Sequence, residues 1–257
     1  VSGMSFRLFI KNLLYLLPNA YAAYKIIKKV KPNIIHLNTS CLFVYALVAN
    51  FFFKNIKVIC HIREPLLNNF FGKILIYCNI KFVDFFIPIN NYESEPFRKE
   101  QFEIIKNSID KNIYTFDNKR RIYERNEIKL NNTDFVVGFF ARFNLENGIE
   151  DLLAISQKIK IVDESIKILI FGFEPQIVNE EIKNIAKNMP DNVIINGMVN
   201  DVQNKMQMID LLISPFKTPH FSRSVIEALS MSIPVIVSDV KSQNTLLENN
   251  KTGYIYS

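Results

Sequence analysis

Glycine is scarce in this chain: only 7 of 257 residues, none of them in a G-x-G-x-x-G, G-x-x-x-x-G-K-[ST] or G-x-S-x-G arrangement. The usual fingerprints of dinucleotide binding, nucleoside-triphosphate binding and serine hydrolysis are therefore missing. No two aspartates stand two positions apart, so there is no Asp-x-Asp pair to clamp a metal. The three cysteines, Cys41, Cys60 and Cys78, are odd in number and widely spaced. That pattern suits neither a disulfide framework nor a CxxC metal knuckle, and it points to a reducing compartment. His36, His61 and His220 are isolated from one another in sequence; a lone histidine is more often structural than a ligand, and no metal is expected. No secretory signal is visible. The most apolar run, CLFVYALVA from Cys41 to Ala49, ends at Asn50. It falls short of the roughly 20 residues of a membrane span and reads as a core helix.

What is present is a composition 49% hydrophobic, enough for a sizeable core in one large domain or two ordinary ones. Val1 is an unusual first residue and GYIYS breaks off within a strand-like run, so both ends read as incomplete. The net charge of +6 is unevenly spread: residues 1–130 carry 20 Lys and Arg against 10 Asp and Glu, whereas residues 131–257 carry 11 against 15. A basic first half fits an anionic partner such as a membrane surface or a phosphorylated lipid. A Lys/Asn/Ile-rich solvated surface explains it equally well. Nucleic acid is not expected, because zinc-finger spacing, RNA-binding aromatic signatures and basic heptads are all absent.

The second half alternates β-branched runs with helical patterns. Strands are expected at DFVVGFFA (134–141), IKILIFG (166–172), NVIING (192–197), LLISPF (211–216) and PVIVSD (234–239). DLLAISQKI, IVNEEIKNIAKNM, DVQNKMQMI and SRSVIEALSM separate them with apolar residues near a 3.6 period. Continuous apolar strands separated by helices indicate a parallel, doubly wound sheet, with ligands beyond the carboxyl ends of the strands. The first half repeats the theme in PNIIHLN (32–38), KVICHI (57–62) and DFFIPIN (84–90), with helices expected over SFRLFIKNLLYLL and CLFVYALVANFFF. The polar stretch 117–133 lacks apolar periodicity and reads as a linker or as the entry to the second domain. The expected organisation is thus a first α/β domain over 1–116, a linker over 117–133, a second α/β domain over 134–257, and one cleft.

Within that frame, Gly138, Gly172 and Gly197 sit in or at the end of strands, where a glycine either admits a ligand or merely allows a turn. Arg142 follows the first strand of the second domain; it could clamp a phosphate bidentately or pair with Glu146 or Glu150 at the surface. Ser222, Arg223 and Ser224 open a helix whose start suits an anion, Ser222 or Ser224 serving as the cap. On that helix Val225, Ile226 and Leu229 share a face and Glu227 lies opposite, which by periodicity makes Glu227 a solvent-facing residue.

VVGFFARFNLENGIEDLL, IKILIFGFEP, NVIINGMVNDV, MIDLLISPF, SRSVIEALSMSIPVIVSD and NNKTGYIYS, in this order, resemble the retaining glycosyltransferases of the GT-B fold. KPNIIHLN, KVICHIRE and IIKNSID of the first half are similar to that family's strand before the cleft, its His-bearing strand and its Asn-Gly-Val-Asp segment. The resemblance spans nearly the whole chain, but the family's first strands, its glycine-rich acceptor loop and its last helices have no counterpart. It implies two Rossmann-like domains facing a cleft. It further implies metal-independent transfer of a sugar from a UDP- or GDP-linked donor to a glycan or lipid-linked acceptor, with retention and with no cofactor. Cell-surface polysaccharide or glycolipid synthesis, in the cytoplasm or peripherally on the inner membrane face, is the implied setting.

Residue by residue, Glu227 matches the second glutamate of the Glu-x7-Glu motif, which holds the donor ribose. Arg142 matches the arginine on the donor diphosphate, and His61 a histidine near the transferred sugar. The chain departs from the pattern at four places: Pro219 stands where the first glutamate is expected, Asn147 where a donor-site lysine is, Ser232 where the glycine before the Pro-Val-Ile strand is, and Lys241-Ser242 where a Gly-Gly is. His220 or Ser222 could stand in for the missing carboxylate, and Lys241 for the missing cation. These departures motivate a second reading, a degenerate GT-B domain that binds a glycan or supports an active partner. A GT-B epimerase acting on the nucleotide sugar is a third, although its carboxylates and histidines are not apparent.

Overall fold

The computed structural model describes residues 14–66 and 69–257, which separate into two compact units divided after residue 107. Most of the helix expected over SFRLFIKNLLYLL lies outside the described residues.

The first unit is built on three parallel strands in the order β1 (Ile34–Leu37), β2 (Lys57–Ile62), β3 (Phe85–Pro88). Helices α1 (Leu16–Val30), α2 (Phe43–Phe52) and α3 (Phe70–Phe82) accompany them. Sequence periodicity missed α1 and α3. Pro18 lies in the first turn of α1, where its missing N–H costs nothing. Asn69 caps α3 by accepting from the Gly72 N–H at 2.8 Å. Leu37, Val58, Cys60, Ile62 and Phe86 fill the core, together with Ala46 and Val48 of α2. Phe97 stacks on Phe86 with ring centroids 4.3 Å apart. All three cysteines are free, and burial pushes the Cys60 thiol up to about 12, as befits a packing residue. No helix among the described residues is long and apolar enough to cross a membrane.

The second unit holds six parallel strands: β4 (Val136–Phe140), β5 (Lys167–Phe171), β6 (Val193–Asn196), β7 (Leu211–Ser214), β8 (Val235–Ser238) and β9 (Tyr254–Tyr256). Their order across the sheet, β6-β5-β4-β7-β8-β9, reverses direction between β4 and β7, which is the doubly wound arrangement. Alternate residues feed two cores. Val136, Leu169 and Phe171 face one that includes Val225 and Ala228; Val137, Phe139, Ile168 and Ile170 face another that includes Ile149 and Leu152. Burial on both faces explains why these strands read as unbroken apolar runs. The covering helices include α5 (Ile149–Val162), α6 (Glu180–Lys187) and α7 (Arg223–Ser230).

The division between the units falls after residue 107. Residues 117–133, read from sequence as a linker or as the entry to the second domain, lie with residues 108–116 in the second unit, and Asn118–Glu127 form a helix, α4. Asp117 caps it, accepting from the Lys119 and Arg120 N–H groups. Its inner face is ionic instead of apolar. Arg125 is fully buried, and its guanidinium donates to the carbonyls of Met208, Asn131, Asn132 and Asp134 and to the Asp210 carboxylate. Arg121 reaches the same Asp210, and Lys205 and Arg120 pair with buried Glu124. A helix held by charge leaves no hydrophobic period to detect.

Glycine is required at two loops on the carboxyl side of this sheet. Gly172, with φ of 115°, ends β5 so close to the preceding loop that a Cβ would lie 2.1 Å from the Ala141 carbonyl oxygen. Gly148, with φ of 81°, starts α5 where a Cβ would strike the Pro215 carbonyl. Gly138 instead serves packing, under the Ile209 and Phe140 side chains, and admits no ligand.

Candidate functional site

In the second unit the carboxyl ends of β4, β5 and β6 surround a cavity of about 350 Å³. Phe140, Ala141 and Arg142 enter it from the end of β4, Phe171 and Gly172 from β5, and Met198 and Val199 from the turn after β6. The rings of Phe140 and Phe171 stack with centroids 4.7 Å apart, giving the cavity an apolar wall. Helix α7 supplies Arg223, Ser224 and Glu227. Four residues expected from sequence, Arg142, Arg223, Ser224 and Glu227, are thus brought together.

Glu227 is not the solvent-facing residue that its helical period predicts. It is 5% exposed, turned into the cavity and hydrogen-bonded. The Tyr114 hydroxyl donates to its Oε1 at 2.8 Å, and Arg223 Nε donates to the same oxygen at 2.8 Å. Tyr114 was not foreseen: it precedes α4, in a stretch with no periodic signal and 113 positions from its partner. Burial, reinforced by the hydrogen bond to Glu227, pushes its phenol up to about 12, so the hydroxyl remains a donor across the physiological range.

The other expected residues of the second unit do not line the cavity. Ser222 occupies the cap position of α7 but makes no side-chain cap bond. Its hydroxyl lies 3.1 Å from that of Ser224 and 3.4 Å from that of Ser214, inside a buried polar cluster. The centre of that cluster is Gln243, fully buried, which accepts from the Ser214 hydroxyl and donates to the Ser214 carbonyl. Ser238, bonded to the same amide, donates in turn to the Phe216 carbonyl. The loop 215–222 that contains Pro219 therefore rests on a fixed polar floor. Asn147 donates to the Arg142 carbonyl at 2.7 Å, bracing the backbone behind that arginine. His220 packs edge-on against Phe216, and Lys241 lies in the turn after β8; neither lines the cavity.

In the first unit His61 lies on β2, its ring stacked on His36 with centroids 5.9 Å apart. Its Nε2 is buried without a hydrogen-bond partner among the described residues. Just beyond, Glu64 accepts from the hydroxyls of Thr39 and Ser40, and Arg63 donates to Asn38 at 3.2 Å. Burial, then Arg63 and His36, hold the His61 pKa below the ordinary histidine value of 6.5. His220 is shifted the same way, by desolvation and by Arg142. A histidine whose pKa is lower in the folded than in the unfolded chain contributes stability that is complete above about 6.5 and is lost as pH falls toward the folded value. Thermal melts between about pH 7.5 and 5 should therefore show a stability loss that is shallower in His61→Asn. An unchanged slope in that variant would exclude His61 as a source.

Residues 121–257, more than half of the chain, match the family described as Glycosyl transferases group 1. A poly(ribitol-phosphate) alpha-N-acetylglucosaminyltransferase of Staphylococcus aureus is 27% identical over 158 residues, covering 61% of this chain and 31% of that protein. The capsular polysaccharide biosynthesis glycosyltransferase CapM of Staphylococcus aureus is 25% identical over 150 residues, 58% of this chain and 39% of its own. The matches thus span about a third of the length of these curated relatives. Among solved structures, Anabaena HepE in complex with UDP-glucose superposes with a TM-score of 0.80 at 19% identity, covering 91% of this chain and 68% of that one. At such low identity the likeness establishes the fold. Together with the parallel strand order and the family match, it shows that this chain has the GT-B fold and belongs to the glycosyl transferases group 1 family.

Proposed function

We propose that this chain binds a nucleotide-diphospho-sugar in its second unit and transfers the sugar, with retention and without a metal, to a glycan or lipid-linked acceptor in cell-surface polysaccharide synthesis. The observation that carries this reading is the convergence of Arg142, Arg223 and Glu227 on one cavity at the carboxyl ends of the strands. HepE, bound to UDP-glucose, supports a UDP-linked donor, and the poly(ribitol-phosphate) and capsular polysaccharide glycosyltransferases of Staphylococcus aureus support a role in cell-surface polymer synthesis.

In this reading Glu227 accepts hydrogen bonds from the donor ribose, and the Phe140–Phe171 wall offers an apolar surface to the nucleoside. Breaking the bond between the sugar carbon and the diphosphate leaves negative charge on the departing oxygen. Arg142, Arg223 and the free N–H groups at the start of α7 neutralise it. Two guanidiniums lining one cavity replace the charge that Asn147 does not provide. The acceptor hydroxyl attacks from the face that the diphosphate leaves, so no side chain need act as a covalent nucleophile. His61 would contact the sugar or the acceptor. The basic first half would meet an anionic membrane surface from the cytoplasmic side, which flotation with anionic liposomes tests.

Calorimetry with UDP, GDP and ADP tests the donor site. Binding of at least one, UDP foremost, is expected, and no binding of any at millimolar concentration overturns the reading. Pro219, at the place of an expected carboxylate, favours one alternative, a binding or partner-supporting subunit. Tight nucleotide binding without sugar transfer or donor hydrolysis would select it.

A further inference from the structure

The two donors to Glu227 converge on one oxygen. Tyr114 Oη and Arg223 Nε both reach Oε1 at 2.8 Å, leaving Oε2 as the acceptor for a ligand. The two are not equivalent. The Arg223 side chain is 67% exposed, so water competes for its bond. Tyr114 is half-buried and strapped to α7 at two points: its hydroxyl is on Glu227, and its backbone carbonyl accepts from the Ser230 hydroxyl at 3.0 Å. Glu227 and Ser230 stand one helical turn apart, so the tyrosine lies along the helix with its ring on the cavity wall. A glutamate has three side-chain torsions to immobilise before its second oxygen can meet a pair of hydroxyls. A donor fixed in advance removes that cost from binding.

We infer that Tyr114 is a specificity-determining positioning residue: its hydroxyl locks Glu227 so that the site selects ribonucleoside diphosphates over those lacking the ribose hydroxyls. The inference rests on the reading of Glu227 as the ribose acceptor. A carboxylate held with one oxygen satisfied and the other presented loses a partner when the sugar lacks its hydroxyls, and a site built around such a pair rejects the deficient ligand. Freed of Tyr114, the carboxylate swings with Arg223 and meets water instead, and discrimination falls.

The test is calorimetry of the full chain with UDP, 2′,3′-dideoxyuridine diphosphate and inorganic pyrophosphate, for the wild type and Tyr114→Phe. The substitution keeps the ring on the wall and removes one oxygen. Expected is a loss of about tenfold in UDP affinity, the equivalent of one well-placed hydrogen bond, with the affinities for the dideoxy compound and pyrophosphate unchanged. An equal loss for all three ligands would mean a merely structural role and would overturn the inference; so would an unchanged preference for UDP. Ser230→Ala loosens the same tyrosine from its backbone side and gives a smaller loss of the same selective kind. Should Tyr114→Phe fail to fold, the Ser230 variant decides alone, and full retention of selectivity there overturns the inference. Wild-type protein that binds UDP no better than the dideoxy compound removes the Glu227 reading itself, a result distinct from an intact preference that survives the loss of Tyr114.

Discussion

Arg125→Met is expected to destabilise the second unit by about 3–5 kcal/mol, the loss seen when one partner of a buried, hydrogen-bonded charge is removed. Arg125 is 0% exposed, and its guanidinium is used on all sides. Nε and Nη2 donate to the Met208 carbonyl, Nη1 to the carbonyls of Asn131, Asn132 and Asp134, and Nη2 to Asp210 Oδ2 at 2.8 Å. Asp210 also accepts from the Val136 N–H at the start of β4, so the arginine ties together α4, the turn after it and the amino ends of β4 and β7. Burial and Arg121 lower the Arg125 pKa, and Asp210 opposes them; arginine stays charged regardless. Methionine fills much of the volume but leaves these carbonyls in an apolar setting without donors, which is the costly part. Arg125→Lys should cost nearly as much, because a point charge cannot serve a planar fork of acceptors. Urea denaturation of both variants measures the effect. A loss below about 1 kcal/mol would show that water replaces the guanidinium. Nucleotide affinity of the folded variants should not change, since the network lies at the strand ends opposite the cavity.

The same arginine shows why part of the fold was hidden in the sequence. The central strands of the second unit were visible as short apolar runs, because burial on both sheet faces makes such strands uniformly hydrophobic. Helix α4 was hidden because its buried residues are Arg125 and Glu124, types that composition assigns to solvent. Glu227 was misjudged for a related reason: a helical wheel separates apolar from polar faces but cannot tell a polar face in water from one in a ligand cavity. Resemblance to a family supplied what periodicity lacked. Tyr114 was beyond both lines of reasoning. Its place depends on a contact between distant segments, and Gln243 likewise acquires its role only when β7 and β8 bring Ser214 and Ser238 beside it.

Glu227→Ala should weaken UDP binding about ten- to a hundredfold, the range for losing hydrogen bonds to a charged group, while leaving the fold intact. Removing a buried carboxylate usually strands its partners, but here both have alternatives. Arg223 is largely exposed, and the Tyr114 hydroxyl can turn to water in the cavity. The loss should therefore appear in ligand affinity and hardly in the melting temperature, the reverse of the pattern expected for Arg125. Glu227→Gln separates charge from shape. Its amide oxygen can still accept from Tyr114, but its amide nitrogen is a donor, which leaves ribose hydroxyls with a poorer partner. An intermediate affinity for the glutamine variant supports acceptance of ribose hydroxyls. Equal affinity of all three proteins for UDP would mean that the carboxylate serves only to hold Tyr114 and Arg223 together, and the nucleotide would have to be sought elsewhere along the carboxyl edge of the sheet.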